Sequence, residues 1–162
     1  MTRDLSAWIE QHAVSSPDRV AIRFEGTEIS YRALHVRIQK TAGFLHNTHG
    51  IGRGDRVAYL GFNTPECVIS LFACARLGAV YLPLNWRLAL PELDHVLGHA
   101  EPKVLITDSP HRESAVGLVN GRSECALIDC ANVVPASEDS DTTLVESSFG
   151  GGPDVPLLLV YT

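Results

Sequence analysis

The chain has 162 residues, 45% of them hydrophobic and 20% charged, which is enough apolar content for one compact domain with its own core. Its formal net charge is -6 and the sequence contains no dense block of Lys and Arg, so nothing supports a nucleic-acid-binding surface. No apolar run approaches the roughly 20 residues that a membrane-spanning helix needs, and the amino terminus lacks a signal peptide's apolar core. These features predict a cytoplasmic protein with no transmembrane segment.

The first thirty residues predict a helix followed by a β-hairpin. The helix covers residues 4–14, and residues 20–24 alternate as a strand. Residues 25–27 (Glu-Gly-Thr) form a turn into a partner strand that starts at residues 28–29. The apolar face of the helix is predicted to consist of Leu5, Trp8, Ile9 and His12.

Helix signals and short apolar runs then alternate along the chain. Ser30 is the predicted N-cap of a helix that ends at Gly50, and Thr64 with Pro65 starts a second helix that ends at Gly78. A third helix opens at residues 91–93 (Pro-Glu-Leu). The predicted buried stripe of the second helix is Val68, Leu71, Phe72 and Ala75. The predicted strands cover residues 57–60, 80–82 and 103–107, with a further candidate at 126–129.

The last residues form the most apolar run of the chain. Four aliphatic residues between Pro156 and Tyr161 predict a strand of a parallel sheet that is covered on both faces. Residues 135–153 are rich in Ser, Asp, Gly and Thr and predict a surface loop or linker. The alternation of helices and strands predicts an α/β fold with a largely parallel sheet flanked by helices. Because ligands bind beyond the carboxyl ends of such strands, we expect the chain to be the front part of a larger enzyme.

Three segments, in this order, resemble the AMP-forming adenylate enzymes, which include acyl-CoA synthetases, luciferases and peptide-synthetase adenylation domains. Residues 29–34 (Ile-Ser-Tyr-Arg-Ala-Leu) resemble the first core motif, although Ala33 stands where the family often has Glu. Residues 54–58 (Gly-Asp-Arg-Val-Ala) resemble the strand entry that follows, and residues 75–85 (Ala-Arg-Leu-Gly-Ala-Val-Tyr-Leu-Pro-Leu-Asn) are the most specific match. The resemblance implies that residues 1–162 are the incomplete amino-terminal part of an AMP-binding domain.

Within that family, residues 85–88 (Asn-Trp-Arg-Leu) and the later Pro91-Glu92-Leu93 look most like acid-CoA ligases, in particular fatty-acid-CoA ligases. The resemblance implies a parent enzyme that joins a fatty or aromatic carboxylic acid to AMP, releases pyrophosphate and passes the acyl group to coenzyme A. ATP, Mg²⁺ and coenzyme A are then the cofactors of the parent enzyme, and none is expected on this segment.

The family's phosphate loop reads Tyr-Thr-Ser-Gly-Thr-Thr-Gly, so Tyr161 and Thr162 would be its first two residues. Such a loop needs glycines for close approach, hydroxyls that bond the phosphate oxygens and a cation that offsets their charge. Thr162 is therefore the one cofactor-binding residue that the resemblance assigns. No catalytic or metal-binding residue is predicted, and the isolated chain is expected to be inactive.

Other groupings of reactive residue types favour structural roles. His95 and His99 lie four apart on a predicted helix but lack the acidic partner of a His-Glu-x-x-His zinc motif. Residues 150–152 (Gly-Gly-Gly) precede a proline and no helix start, which is typical of a linker. Trp86 and Arg87 could contact coenzyme A or a partner subunit, but packing and a surface ion pair explain them more simply.

The four cysteines are too sparse for a disulfide framework and lack the paired Cys-x-x-Cys spacing of a zinc site. We expect reduced thiols that pack as small apolar side chains. They are Cys67, Cys74, Cys125 and Cys130.

Two other hypotheses remain open. A segment of an amino-acid or aryl-acid adenylation domain would be followed by a carrier-protein domain in the reading frame. A free-standing, non-catalytic α/β binding module would be eliminated if the frame continued with Ser-Gly-Thr-Thr-Gly. In a segment of a larger enzyme we also expect an exposed apolar face, which favours self-association or a homodimer.

Overall fold

A computed structural model describes residues 5–133 and 154–161. The helices are α1 (Ser6–Ser15), α2 (Tyr31–His49), α3 (Pro65–Leu77), α4 (Leu90–Ala100), α5 (Arg112–Val119) and α6 (Cys130–Val133), with a 3₁₀ turn at Ser109–His111. The strands are β1 (Val20–Phe24), β2 (Thr27–Ser30), β3 (Arg56–Leu60), β4 (Val80–Leu84), β5 (Val104–Thr107) and β6 (Ala126–Asp129). Among the described residues, no helix combines the length and the apolar character that crossing a bilayer requires. The predicted loop at 135–153 lies outside the described residues.

The amino-terminal hairpin is set by a two-residue turn. Glu25 and Gly26 have φ values of 48° and 78°, which is the left-handed pair that a tight hairpin turn requires. Thr27 already pairs with Phe24, so the predicted three-residue turn was one residue too long. Strand β2 leads directly into α2, where the Ser30 hydroxyl accepts a hydrogen bond from the backbone N–H of Ala33 at 3.2 Å. The predicted N-cap is therefore confirmed.

The core of the fold is a parallel four-stranded sheet in the order β4-β3-β5-β6. One face packs against α2 and α3, and the other packs against α4 and α5. The predicted α/β fold with a parallel sheet flanked by helices is confirmed. On the first face the strands contribute Val57, Tyr59, Tyr81, Val104, Ile106 and Ile128. On the second face they contribute Ala58, Leu60, Leu82, Leu84 and Leu105.

Residues 157–161 lie along β4, but the predicted burial on both faces is wrong. Leu158 forms a parallel bridge with Tyr81, whose N–H donates to the Leu157 carbonyl and whose carbonyl accepts from the Leu159 N–H. The next bond of a regular parallel ladder would come from the N–H of Pro83, and proline has none. Pairing therefore stops after one bridge. Leu158 and Val160 are 54% and 55% exposed, so this segment is not covered on both faces.

Two helices bury only part of the face that the sequence pattern predicted. In α1, Ile9 is buried whereas Trp8 is 59% exposed, because α1 packs mainly on α2 and a neighbouring position on the helix points away. In α3, Ala75 is buried and Leu71 and Phe72 pack against the core as predicted, whereas Val68 lies at the surface. Ile69 and Ala73, which were not predicted, are fully buried. Helix α3 packs against both α2 and the sheet, so it is apolar around most of its circumference and its sequence does not single out one stripe.

Two glycines provide a matched test of backbone conformation. Gly50 ends α2 with φ 62°, and a methyl group placed there would meet no atom within 4 Å. Gly117 lies inside α5, outside the left-handed region, and its added methyl group would also meet nothing within 4 Å. We expect Gly50→Ala to lower the free energy of unfolding by about 1–2 kcal/mol, the cost of a left-handed L-residue. Gly117→Ala should raise it by about 0.5–1 kcal/mol, because alanine favours a helix interior.

Urea denaturation of both variants measures this difference. If both substitutions changed the free energy of unfolding in the same direction, the expected backbone strain of Gly50→Ala would be contradicted.

Candidate functional site at the carboxyl edge of the sheet

The order of the strands places a crevice between β3 and β5. The chain leaves β3 for β4 on one side and leaves β5 for β6 on the other, although β3 and β5 are neighbours. Loops that diverge in this way open a crevice at the carboxyl ends of the two strands, which is where open α/β sheets bind ligands. The crevice is bounded by residues 61–64 after β3 and by residues 108–111 after β5.

The buried carboxylate of Asp108 fills this crevice. Asp108 is 7% exposed, and its Oδ2 accepts a hydrogen bond from the Phe62 N–H at 2.8 Å. Its Oδ1 accepts from the His111 N–H at 3.1 Å and lies 2.5 Å from His111 Nδ1. An ionised carboxylate only accepts hydrogen bonds, so Nδ1 carries the imidazole proton. One carboxylate therefore joins the loops that follow β3 and β5.

Gly61 allows the β3 loop to approach this carboxylate. A methyl group at Gly61 would lie 2.8 Å from Asp108 Oδ2, a distance at which one of them would have to move. The Thr107 hydroxyl donates to the Leu60 carbonyl at 3.0 Å and fixes the two strand ends just below the crevice. The absence of a side chain at Gly61 is thus required by close contact and not by its backbone angles.

Three aromatic side chains meet above Asp108, and we call Phe62, Trp86 and His111 the ring cluster. The Phe62 ring centroid lies 5.1 Å from that of Trp86 and 4.7 Å from that of His111, both in edge-to-face geometry. The Arg87 guanidinium lies 4.2 Å from the Trp86 ring centroid, a cation–π contact. The expected packing of Trp86 is confirmed. Arg87 lies on the indole, and the expected surface ion pair is not found among the described residues.

The final residues run toward this same edge, since Leu158 pairs in parallel with Tyr81 of β4. The Tyr161 hydroxyl lies 2.5 Å from Nδ1 of His99 on α4, and the two rings meet edge to face. Thr162, the residue assigned to the start of a phosphate loop, lies outside the described residues, as do residues 150–152. The assignment of Thr162 therefore stays a prediction.

The described residues do not assemble a metal site. Nowhere in residues 5–133 and 154–161 do three His, Cys, Asp or Glu side chains converge in a way that could hold an ion. His99 instead contacts Tyr161. The described residues consequently do not fit Mg²⁺.

The thiols are held in their neutral form. All four cysteines are free, and Cys67 Sγ lies 3.3 Å from the Tyr81 hydroxyl. Burial raises the pKa of Cys67, raises that of Cys74 to about 12 and, with nearby carboxylates, raises that of Cys130 to about 11. Because the thiolate is the reactive form, these side chains are poor nucleophiles. The interpretation of the cysteines as packing residues is supported.

The start of α3 differs in one detail from the sequence prediction. Thr64 has the extended backbone of an N-cap, but its hydroxyl makes no capping bond to the helix. It lies 3.5 Å from the Tyr59 hydroxyl instead. The predicted N-cap position at Thr64 and the helix start at Pro65 are correct, although the cap is made without a side-chain hydrogen bond.

Asp108, His111 and Phe62 were not recognised as site residues from the sequence. The available signal was position: Asp108 follows the buried strand β5 directly, and Phe62 comes two residues after the end of β3. The contact between them joins residues 46 positions apart, so it depends on strand order, which the sequence pattern did not determine.

The fold is that of the amino-terminal subdomain of adenylate-forming ligases. A fatty acyl CoA synthetase from Mycobacterium tuberculosis aligns with a TM-score of 0.84 and 26% identity, over 98% of this chain and 32% of that chain. The AMP-binding enzyme family matches residues 9–162, and the chain belongs to this family.

Two curated relatives are similar over 98% of this chain. A feruloyl-CoA synthase from Amycolatopsis is 43% identical, and the indoleacetate–CoA ligase of Aromatoleum aromaticum is 36% identical. The chain spans 30% and 32% of the length of these two relatives, respectively. The resemblance to acid-CoA ligases inferred from the motifs is confirmed at the level of the family.

The raised thiol pKa values predict slow labelling of the native protein. At an ordinary pKa of 9.0 a thiol has about 100 times the thiolate of one whose pKa is about 11, the value for Cys130. We expect thiol reagents at pH 7–8 to label the folded chain far more slowly than the chain unfolded in urea. Rapid labelling of one native thiol at pH 7 would contradict this.

The fully buried Cys74 predicts the sign of a pH effect on stability. Its folded-state pKa of about 12 lies above the ordinary value of 9.0, so the folded chain holds the proton more tightly than the unfolded chain. Its contribution is fully present below pH 9 and is lost as the pH rises toward 12. Urea denaturation of the parent and of Cys74→Ala at pH 7 and pH 10 measures the contribution of Cys74 to the free energy of unfolding. An equal loss between the two pH values in both proteins would contradict it.

Proposed function

We propose that this chain is the amino-terminal segment of an AMP-forming acid-CoA ligase. Such an enzyme joins a carboxylic acid to AMP from ATP, releases pyrophosphate and transfers the acyl group to coenzyme A. The observation that carries the proposal is the identity of 43% and 36% to two acid-CoA ligases over 98% of the chain. The cytoplasmic location stays a prediction from the sequence.

An aromatic acid is the substrate class that the relatives favour. The two relatives are named for feruloyl-CoA and indoleacetate, both of which contain an aromatic ring. A fatty acid is the second candidate, because the similar fold in Mycobacterium tuberculosis belongs to a fatty acyl CoA synthetase. The fatty-acid specificity expected from the motifs is therefore kept as the weaker of two proposals.

The described residues support a scaffolding role in that reaction. The sheet brings three loops and the chain leading to Thr162 to one edge, and its core is closed on both faces of β3. ATP and Mg²⁺ would supply the activated phosphate chemistry, and the donors for them lie outside the described residues. The exposed Arg87 on Trp86 is the cation best placed at this edge to meet an anionic group of coenzyme A.

The proposal predicts a clear separation of activities. We expect the polypeptide encoded by the uninterrupted reading frame to release pyrophosphate from ATP in the presence of ferulate or indoleacetate, and to form the CoA thioester. The 162-residue chain should release none, because it spans only 30% and 32% of the length of the two acid-CoA ligases that it resembles.

Pyrophosphate release and thioester formation should be assayed for both polypeptides with aromatic and fatty acids. Acid-dependent pyrophosphate release by the 162-residue chain would contradict its inactivity. Transfer to a carrier protein in place of coenzyme A would support the adenylation-domain alternative. A full-length polypeptide that activates no acid would support a non-catalytic module.

We further expect the isolated chain to self-associate through residues 157–161. Leu158 and Val160 expose apolar side chains beside a strand whose pairing stops at one bridge. The double variant Leu158→Thr/Val160→Thr should shift the molecular mass measured by light scattering toward the monomer. Val14→Thr is the matched control, since Val14 is 80% exposed but lies on α1. A parent chain that is monomeric at all concentrations would contradict the expectation.

A further inference from the structure

The β3 loop has the features of an anion-binding turn. A side chain at position 61 would collide with Asp108, so only glycine fits there. The Phe62 N–H points into the crevice, and α3 begins soon after, at Pro65. In α/β proteins such a glycine lets the backbone approach a charged group, and the following helix favours negative charge near its start. The turn lies at the switch point of the sheet, where an external ligand would ordinarily be expected.

We propose that the chain fills this anion site with its own carboxylate, so that Asp108 is an internal ligand and the positioning residue of the ring cluster. Three donors converge on it: the Phe62 N–H, the His111 N–H and the His111 imidazole. Asp108 itself is 7% exposed, and without it these partly buried donors would lose their shared acceptor. The site is thus closed to phosphate and other external anions.

The carboxylate also determines where the aromatic side chains lie. Asp108 holds His111 by two hydrogen bonds and Phe62 by one, and both rings contact Trp86. Arg87 lies on Trp86 in turn. The position of the exposed cation at this edge therefore depends on a carboxylate that does not touch it. This inference does not depend on the proposed ligase activity.

The test uses Trp86 as the reporter. The chain has two tryptophans, and Trp8 on α1 is 59% exposed, so Trp8→Phe leaves Trp86 as the single fluorophore. In that background Asp108→Gly removes the carboxylate and leaves space for formate, whereas Asp108→Asn keeps the side-chain volume. Asp94→Asn is the control, since Asp94 is a largely exposed carboxylate paired with Arg122.

We expect Asp108→Gly to shift Trp86 emission to the red and to raise its acrylamide quenching toward that of an exposed indole. Sodium formate should restore both signals, whereas sodium chloride at equal ionic strength should not. Asp108→Asn should alter the signals without responding to formate, because its amide occupies the space. Asp94→Asn should change neither signal.

Stability provides a second measurement if Asp108→Gly folds poorly. At formate concentrations tenfold above its Kd, the unfolding constant of this variant should fall about tenfold, while that of the parent stays unchanged. A folded Asp108→Gly variant with an unchanged Trp86 signal would overturn the positioning role. Equal stabilisation of parent and variant by formate would overturn the internal-ligand assignment.

Discussion

The parallel pairing of β3 with both β4 and β5 is the constraint on which the rest of the structure depends. It makes β3 an interior strand whose backbone bonds are satisfied on both sides and whose side chains from Val57 to Leu60 are buried. Because all the neighbours run in the same direction, the loops after β3, β4 and β5 meet at one edge. The ring cluster and Asp108 exist because three separate loops share that edge.

The same strand order explains where the helices lie. Right-handed crossovers that move in opposite directions along a sheet place their helices on opposite faces. The connection from β3 to β4 carries α3 to one face, and the connections from β4 to β5 and from β5 to β6 carry α4 and α5 to the other. Helix α2 completes the first face, packing beside α3. Both faces of the sheet are therefore covered, as a parallel sheet requires.

Local signals in the sequence predicted the limits of α2 and α3 well. They could not predict contacts between residues that are far apart in the sequence. Ser30, Pro65 and Gly78 act within one helical turn of their own position, so their chemistry fixes helix ends in any fold. Trp8 and Val68 are exposed because of the way each helix packs on its neighbours. The periodicity of apolar residues along a helix does not determine which neighbour it meets. Asp108 became a site residue only through strand order, since its partner Phe62 lies 46 positions away.

Pro83 and Asp108 act on the same edge in complementary ways. Pro83 removes the N–H that would extend pairing with residues 157–161, so the chain beyond Leu159 is released from the sheet while Tyr161 stays in contact with His99. Asp108 meanwhile accepts the hydrogen bond of the Phe62 N–H in the turn after β3. An external anion at this edge would therefore need backbone donors from a different segment. Under the proposed ligase function, residues 157–161 beside β4 are the segment that would lead to such donors.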